Sequence, residues 1–185
     1  MSTTLWIIAG AIVLIALYLW SLYNGLVSLK TQIEEAWSQI DVQLKRRADL
    51  IPNLVETVKG YAKHEKTIMT AVTDAHKAMM GAKGLDAKGK ASDVLSSALS
   101  RLLALAENYP QLKANENFVQ LQKELEDTED KVAYSRQYYN TTVMDYNVKI
   151  RQFPANMIAQ NLGFGEKEFF GASDEERKPV KVNFN

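Results

Sequence analysis

The chain has 185 residues, no cysteine, two histidines, and 22 basic and 22 acidic residues, so its formal net charge is zero. This composition excludes disulfide frameworks, thiol nucleophiles and cysteine zinc sites, and it is atypical of acidic disordered tails and of basic nucleic-acid-binding proteins. The charges are unevenly placed, because the first charged side chain is Lys30. The neutral balance therefore describes only the rest of the chain.

Residues 5–24 predict a transmembrane anchor helix, so that the lipid bilayer is the first expected partner. Leu5 and Trp6 open an apolar stretch that contains no charged residue, Asn, Gln or Pro up to Tyr23. As a helix it would span roughly 28 Å, close to the roughly 30 Å of bilayer hydrocarbon. Trp6, Trp20 and Tyr23 are at its ends, where aromatic rings favour the headgroup level. A cleaved signal peptide is the alternative, but the basic start and a good cleavage site are missing.

The orientation of this single-pass segment follows from the basic residues that flank it. The side before the stretch offers only the α-amine, whereas the side after it offers Lys30. Basic residues near a span favour the cytoplasmic side. We therefore expect a single-pass membrane protein with a cytoplasmic bundle.

Residues 26–153 predict a bundle of long helices. The first helix has apolar residues at alternating steps of four and three, the repeat of a helix that lays one stripe against partner helices. We expect the anchor helix to run into it past Gly25, with a kink or a short break near Pro52. Its stripe comprises Ile33, Trp37, Ile40, Leu44, Ala48, Ile51, Val55, Val58, Ala62, Met69, Val72, His76 and Met79.

Two further helices complete the predicted bundle. A glycine-rich connection at residues 81–89 precedes a helix over residues 91–107, whose buried side is expected to hold Val94, Leu95, Ala98, Leu102 and Leu105. Asn115 is a plausible cap for the third helix. That helix is expected to end at Phe153-Pro154, with a stripe of Phe118, Leu121, Leu125, Thr128, Val132, Ser135, Tyr139, Thr142, Tyr146, Ile150 and Phe153.

Residues 154–185 predict a short helix over residues 155–162, closed by Gly163, and a polar tail with a strand-like stretch at residues 180–184. The fold class is therefore all-α: a transmembrane helix followed by an elongated antiparallel bundle. The long helices cannot cover their stripes alone. The missing fourth element is either the short C-terminal helix or a neighbouring subunit, and the latter makes a homo-oligomer plausible.

Catalytic chemistry finds little support. His64 and His76 are separated by more than three helical turns and cannot share a metal ion alone. The chain has no phosphate-binding loop, dinucleotide fingerprint or nucleophile elbow. We therefore predict no catalytic residue, no cofactor, no metal and no nucleic-acid partner.

Two clusters form a candidate partner or ligand patch. The first surrounds Pro52, and the second lies on the third helix; together they are Lys45, Arg46, Arg47, Asp49, Pro52, Tyr138, Tyr139 and Asn140. Charged clusters are most often solvated surface, and buried tyrosines need a partner for the hydroxyl group. The phenols could be core groups bonded to Arg46, Arg47 or Asp49, or they could help to hold a small polar or anionic ligand.

Long motifs resemble the LemA family. The most specific is EAWSQIDVQLKRRADLIPNLV at residues 35–55, and the others are at residues 58–62, 107–110, 115–118, 135–140, 146–147, 153–154 and 163–164. The resemblance implies a bacterial membrane protein with one N-terminal anchor and a helical bundle, and no established enzymatic activity. Family members often occur near membrane-bound zinc metalloproteases, which suggests a protease as partner and a role in envelope quality control.

The expected function is a non-enzymatic, membrane-anchored scaffold or adaptor that self-associates. The alternative is a ligand or stress sensor that binds a small polar or anionic molecule, or a lipid headgroup, in the bundle.

Overall fold

The computed structural model describes residues 3–171, and this part of the chain is helical without a strand, which confirms the all-α prediction. The strand-like stretch at residues 180–184 lies outside the described residues. The helices are α1 (Thr3–Tyr61), α2 (Lys66–Gly81), α3 (Leu85–Ala106), α4 (Pro110–Lys113) and α5 (Glu116–Arg151), followed by a 3-10 helix at Ala155–Met157.

Helix α1 is continuous from the apolar stretch into the bundle, as predicted for the passage at Gly25. It also continues through Pro52, so of the kink or short break predicted there, the break is wrong. Pro52 is exposed, and a proline on the solvent side of a helix leaves a carbonyl one turn earlier that water can satisfy.

Helix α1 ends at Tyr61, and residues 62–65 form a turn before α2 begins at Lys66. In this turn the amide of Ala62 still donates to the Val58 carbonyl at 2.8 Å, and the amide of Glu65 donates to the Ala62 carbonyl at 3.1 Å. The apolar period runs on through the turn, from Ala62 to Met69, which is why the sequence pattern reads as a single helix.

Two compact units divide the chain. The first contains residues 3–37 of α1, residues 138–151 of α5 and the segment up to Glu168. Within it the rings of Trp37 and Tyr139 lie 6.3 Å apart, and a Cβ added at Gly25 would lie 2.8 Å from Lys149 Nζ. Since residue numbers rise along α1 as they fall along α5, the two helices are antiparallel.

The second unit contains residues 38–137 and residues 169–171 of the described chain, and it is a four-helix arrangement. Asp41 and Arg47 of α1 pair with Lys88 and Ser96 of α3, so α1 and α3 run in the same direction. At the start of α5, Asn115 bonds to Tyr61, and further along α5, Glu129 pairs with Arg47. Residue numbers therefore rise along α5 as they fall along α1, so α5 runs opposite to α1.

Helix α2 is the fourth member, because the turn at residues 62–65 folds it back along α1 and it packs on α3. The fourth helix that the stripes require thus comes from this chain, as an up-down-up-down topology. The expectation that the C-terminal helix or a neighbouring subunit fills this place is wrong for the second unit. The buried apolar core of this unit includes Ile40, Leu44, Ile51, Leu54, Val58, Val72, Leu95, Leu99, Leu102, Leu112, Phe118 and Leu125.

The remaining boundaries refine the predictions. Helix α3 starts at Leu85 after Gly84, whose φ of 83° suits glycine, so the connection is shorter than expected. Its buried face includes Leu99, whereas Val94 is exposed. The predicted cap of α5 is confirmed, because the amide of Phe118 donates to Asn115 Oδ1 at 3.0 Å. The predicted C-terminal helix is reduced to the 3-10 helix and following turns.

Candidate functional site

Arg47 is the centre of a buried cluster in the second unit, with only 3% of its surface exposed. Its Nη1 donates to Ser96 Oγ at 2.9 Å, and its Nη2 forms an ion pair with the Glu129 carboxylate. The Ser96 hydroxyl in turn donates to Glu129 Oε1 at 3.3 Å. Burial lowers the pKa of Arg47, Glu129 opposes that shift, and Arg136 adds to it. Arginine starts so high that it stays charged, so Glu129 neutralises a permanent buried charge.

Arg136, on the same unit's part of α5, holds the end of the described chain. Its Nη2 donates to Asp93 Oδ1 of α3 at 2.9 Å, and its guanidinium carbon lies 4.6 Å from the centre of the Phe170 ring. A Cβ added at Gly89 would lie 3.5 Å from the Cα of Gly171. Arg136 therefore fastens Phe170 against α3 and α5 by an ion pair and a cation–π contact.

In the first unit, α5 binds residues 166–168, which we call the return segment. Asn147 Nδ2 donates to the Lys167 carbonyl at 2.8 Å, and the Lys167 amide donates to Asn147 Oδ1 at 2.9 Å. The Tyr139 hydroxyl donates to the Glu168 carbonyl at 3.1 Å. Arg151 adds a two-pronged pair with Glu166, at 2.7 and 2.6 Å.

These contacts shift the pKa values of their ionisable members. Burial, and then the charge of Glu168, raise the pKa of Tyr139. Hydrogen bonds from Arg151 hold the pKa of Glu166 below its usual range, and the same bonds raise the pKa of Arg151. The phenol is thus neutral and the carboxylate is charged near neutral pH, which are the forms that the contacts require.

The predicted patch residues fall into the two units. In the second, Lys45, Asp49 and Pro52 are exposed, Arg46 lies 3.9 Å from Asp127, and Arg47 is buried as described. The second cluster belongs to the first unit, where Tyr138 is exposed, Tyr139 is buried and Asn140 is partly exposed. The Tyr139 hydroxyl was expected to bond to an arginine or aspartate side chain. Its partner is instead the main-chain carbonyl of Glu168.

Sequence reasoning missed the partners that complete both clusters: Ser96, Glu129, Arg136, Asn147 and residues 166–170. Three of them carried a signal. Glu129 is one of five acidic residues between positions 124 and 130 of the third predicted helix, while Arg136 and Asn147 lie inside motifs of the LemA resemblance. Ser96 and the return segment carried none, because nothing in the periodicity of residues 154–170 indicates that they fold back along α5.

Most donors and acceptors in both clusters bond within the chain and hold helices and the return segment together, whereas Nε of Arg47 and Nε of Arg136 are buried without a hydrogen-bond partner among the described residues. Among residues 3–171, no group of three or more His, Cys, Asp or Glu side chains is arranged to hold a metal ion.

The predicted anchor is bare. Every described residue from Thr3 to Ser21 is exposed, including Leu5, Trp6 and Trp20, and Tyr23 beyond them is also exposed. Within residues 3–171, α1 is the one helix long and apolar enough to cross a membrane.

A basic groove lies between α1 and α2 in the second unit. It has a volume of about 750 Å³ and is lined at its polar rim by four lysines and two acidic residues: Lys59, Lys63, Lys66, Lys77, Glu56 and Asp74. Lys59 lies 3.9 Å from Glu56, and Lys77 lies 3.8 Å from Asp74. The rim therefore has two positive charges in excess.

Comparison with known proteins agrees with the motifs. The model of the LemA family matches residues 36–184. The chain belongs to the LemA family. Its relatives include the magnetosome protein MamQ of Magnetospirillum gryphiswaldense, 27% identical over 85% of this chain and 68% of the relative. Magnetosome protein MamQ 2 of Paramagnetospirillum magneticum is 26% identical over the same shares.

A third relative is protein LemA of Metamycoplasma hominis, 26% identical over 86% of this chain and 74% of the relative. The names of these LemA-family relatives do not describe an enzyme. Family membership and the bare apolar part of α1 together indicate a membrane-associated helical protein.

Proposed function

We propose that this LemA-family protein is a non-enzymatic, membrane-anchored scaffold that self-associates and holds membrane proteins in place. The observation that carries the proposal is the apolar part of α1, which has no protein cover between Thr3 and Ser21. Burying a large aliphatic side chain is favourable by about 1.5–3 kcal/mol, so a helix with so many of them is unstable in water and stable in hydrocarbon. A single pass, with the bundle in the cytoplasm, is the topology that Lys30 favours.

A scaffold is supported by the way in which the polar groups are used. The buried arginine Arg47 and the amide of Asn147 are bound by partners from the same chain. Relatives named for the magnetosome bear the name of a cellular structure and not of a reaction. Both points favour a protein whose helices present surfaces to partners, among which a membrane-bound protease in envelope quality control is one candidate.

Self-association is proposed for the first unit. There, the exposed side chains of Met144 and Val148 form an apolar face one helical turn apart on α5. The second unit already has four helices and does not need a second copy to cover its core.

The absence of cysteine makes a clean crosslinking experiment possible. Val148→Cys in the intact chain, treated in native membranes with a short bismaleimide, is expected to give a dimer, and mass spectrometry should identify any membrane protein captured as well. The matched control is Asp130→Cys, an exposed acidic position of the second unit. A chain that is not crosslinked at either position, captures no other protein and runs as one copy per native-lipid particle contradicts the scaffold.

The basic groove favours a second function, the binding of an anionic ligand. Its two excess positive charges attract a phosphate or carboxylate group, and Lys63 and Lys66 stand at the turn between the helices. Thermal unfolding of the intact chain with inorganic phosphate or pyrophosphate tests this function. Stabilisation that Lys63→Gln with Lys66→Gln removes, and that Lys123→Gln retains, supports it; the same response in both variants contradicts it.

A further inference from the structure

The segment that follows α5 exposes large apolar side chains to an unusual degree. Phe153 is 81% exposed, Met157 66% and Leu162 45%. The segment is also uncharged: residues 152–165 are the longest run without a charged side chain outside the first 29 residues. Its other exposed side chains are uncharged and polar, among them Gln152, Asn156 and Gln160. Uncharged polar groups interleaved with exposed apolar ones suit a boundary between water and hydrocarbon.

The position of this segment in the first unit follows from two contacts with α1. The Phe164 ring meets the Tyr23 ring edge-on, with centroids 5.6 Å apart. Two residues further along α1, a Cβ added at Gly25 would lie 2.8 Å from Lys149 Nζ of α5. Leu22 and Leu26 are buried here, whereas α1 is bare up to Ser21. Other parts of the first unit therefore begin to pack on α1 where its apolar stretch ends.

The antiparallel register then gives the level of Phe153. Lys149 is level with Gly25, and α5 runs toward the bare end of α1. Helix α5 ends at Arg151, two residues and roughly 3 Å beyond Lys149, which brings its end to the level of Tyr23, and Phe153 follows two residues later. Trp20 and Tyr23, the exposed aromatic residues at this end of the apolar stretch, are at the same level. Rings at that level lie among the lipid headgroups when the stretch spans a bilayer.

The basic side chains at this level fit the same surroundings. Lys149 is partly buried, and its ammonium nitrogen lies against Gly25 of α1, just beyond the end of the apolar stretch. Glu166 is paired with Arg151, and residues 152–165 contain no acidic side chain. The segment therefore brings no unpaired acidic charge to the headgroups.

We infer that residues 152–163 form a second membrane contact, in which Phe153, Met157 and Leu162 enter the interfacial layer of the phospholipid bilayer beside the anchor. This inference rests on the proposed anchoring of α1. The bilayer is the partner of these exposed side chains because they lie close to the level of the aromatic residues at the end of the anchor. Apolar side chains of interfacial segments reach about 5–10 Å into the boundary between headgroups and acyl chains.

The experiment uses the intact chain, one copy per lipid nanodisc, with an environment-sensitive fluorophore on a single introduced cysteine and with nitroxide-labelled phospholipids. Met157→Cys tests the segment, Leu14→Cys reports on the anchor, and Tyr134→Cys is a control because Tyr134 is strongly exposed in the second unit. We expect nitroxides near the headgroup to quench the label at position 157 several-fold more than the label at 134. Nitroxides at the bilayer centre should quench position 14 most strongly.

A second variant guards against an effect of the label itself. With the fluorophore at Asn156→Cys, replacing Phe153, Met157 and Leu162 by serine is expected to remove most of the quenching and leave the far-UV circular dichroism unchanged, because all three side chains are exposed.

Each alternative outcome has a separate meaning. If position 157 behaves like position 134 while position 14 remains quenched, the inference is wrong and the anchoring stands. If position 14 is not quenched either, the proposed anchoring is wrong as well. If position 157 is shielded only in nanodiscs that hold two copies, a second copy of the chain covers the segment, and the bilayer contact is overturned.

Discussion

The two units bind the end of the described chain with different chemistry. In the first, the buried contacts to the return segment are uncharged: the amide of Asn147 and the hydroxyl of Tyr139 meet main-chain groups. In the second, Arg136 binds Asp93 and Phe170, and Arg47 is buried beside Glu129. Four helices can surround an arginine with a carboxylate and a hydroxyl, and two helices cannot. A unit built from two helices, one of which carries the apolar anchor, therefore uses neutral groups, since an uncompensated buried charge costs several kcal/mol.

The largest effect is expected from a variant that removes the apolar character by which the first unit differs from the second. Ile12→Arg together with Ile15→Arg places two charges in the middle of the bare stretch. At a helix centre each costs about 2.5–3.5 kcal/mol for membrane insertion, so most of the protein should leave the membrane fraction in an alkaline wash. The matched control is Val42→Arg with Val94→Arg, both exposed in the second unit. If the two double variants are retained equally in the washed membranes, the apolar part of the first unit is not what holds the chain in the membrane.

The next effect tests the buried charge of the second unit. Glu129→Gln keeps a hydrogen-bond acceptor near Arg47 but removes the compensating charge. Breaking a fully buried pair costs about 3–5 kcal/mol; because the Glu129 side chain is 50% exposed and water screens part of the charge, we expect about 2–3 kcal/mol. Thermal unfolding of the detergent-solubilised chain measures it.

Arg47→Met is the control for that measurement. It fills much the same space without a charge, so adding it to Glu129→Gln should recover most of the lost stability. A double variant that is no more stable than Glu129→Gln alone rules out the uncompensated charge as the cause.

A smaller effect is expected at the hydrogen bonds between Asn147 and the return segment of the first unit. Asn147→Ala removes two hydrogen bonds to Lys167, each contributing about 0.5–1.5 kcal/mol, for a loss of about 1–3 kcal/mol. Amide hydrogen exchange of residues 166–168 should accelerate at the same time. Asn156→Ala, at an exposed position of the same unit, serves as the comparison. Unchanged exchange in Asn147→Ala would show that Asn147 does not hold the return segment.

The smallest effect concerns the exposed pair of Arg151 with Glu166. Because the pKa of Glu166 is depressed in the folded chain, the pair stabilises the fold above the unfolded pKa and loses its contribution as the pH falls through the folded value. The melting temperature of the wild type should therefore fall more between neutral pH and the acid range than that of Glu166→Gln. Parallel pH profiles for the two proteins are incompatible with this role.

The sequence was sufficient for the elements that depend on periodicity and composition. It predicted the apolar stretch, the all-helical class, the continuity of α1 at Gly25 and the Asn115 cap, because each depends on residues close together in the chain. The LemA family followed from long contiguous motifs.

Other features depended on contacts that no local pattern carries. The turn after Tyr61 interrupts a stripe that continues in phase, so the helix that completes the four-helix unit was hidden within the first predicted helix. The partners of Arg47 are 49 positions away at Ser96 and farther still at Glu129, and no periodicity links them. Phe153 continues the stripe of α5 in sequence, yet it lies two residues beyond the end of the helix and is exposed.

The proposed anchoring requires that the apolar part of α1 stays in the mature chain and holds it in the bilayer. The most direct test is the intact mass of the protein recovered from alkaline-washed bacterial membranes. We expect a chain that remains in the washed membranes and whose mass includes residues 5–24. A shortened chain that lacks the apolar stretch, or an intact chain released by the wash, would contradict it.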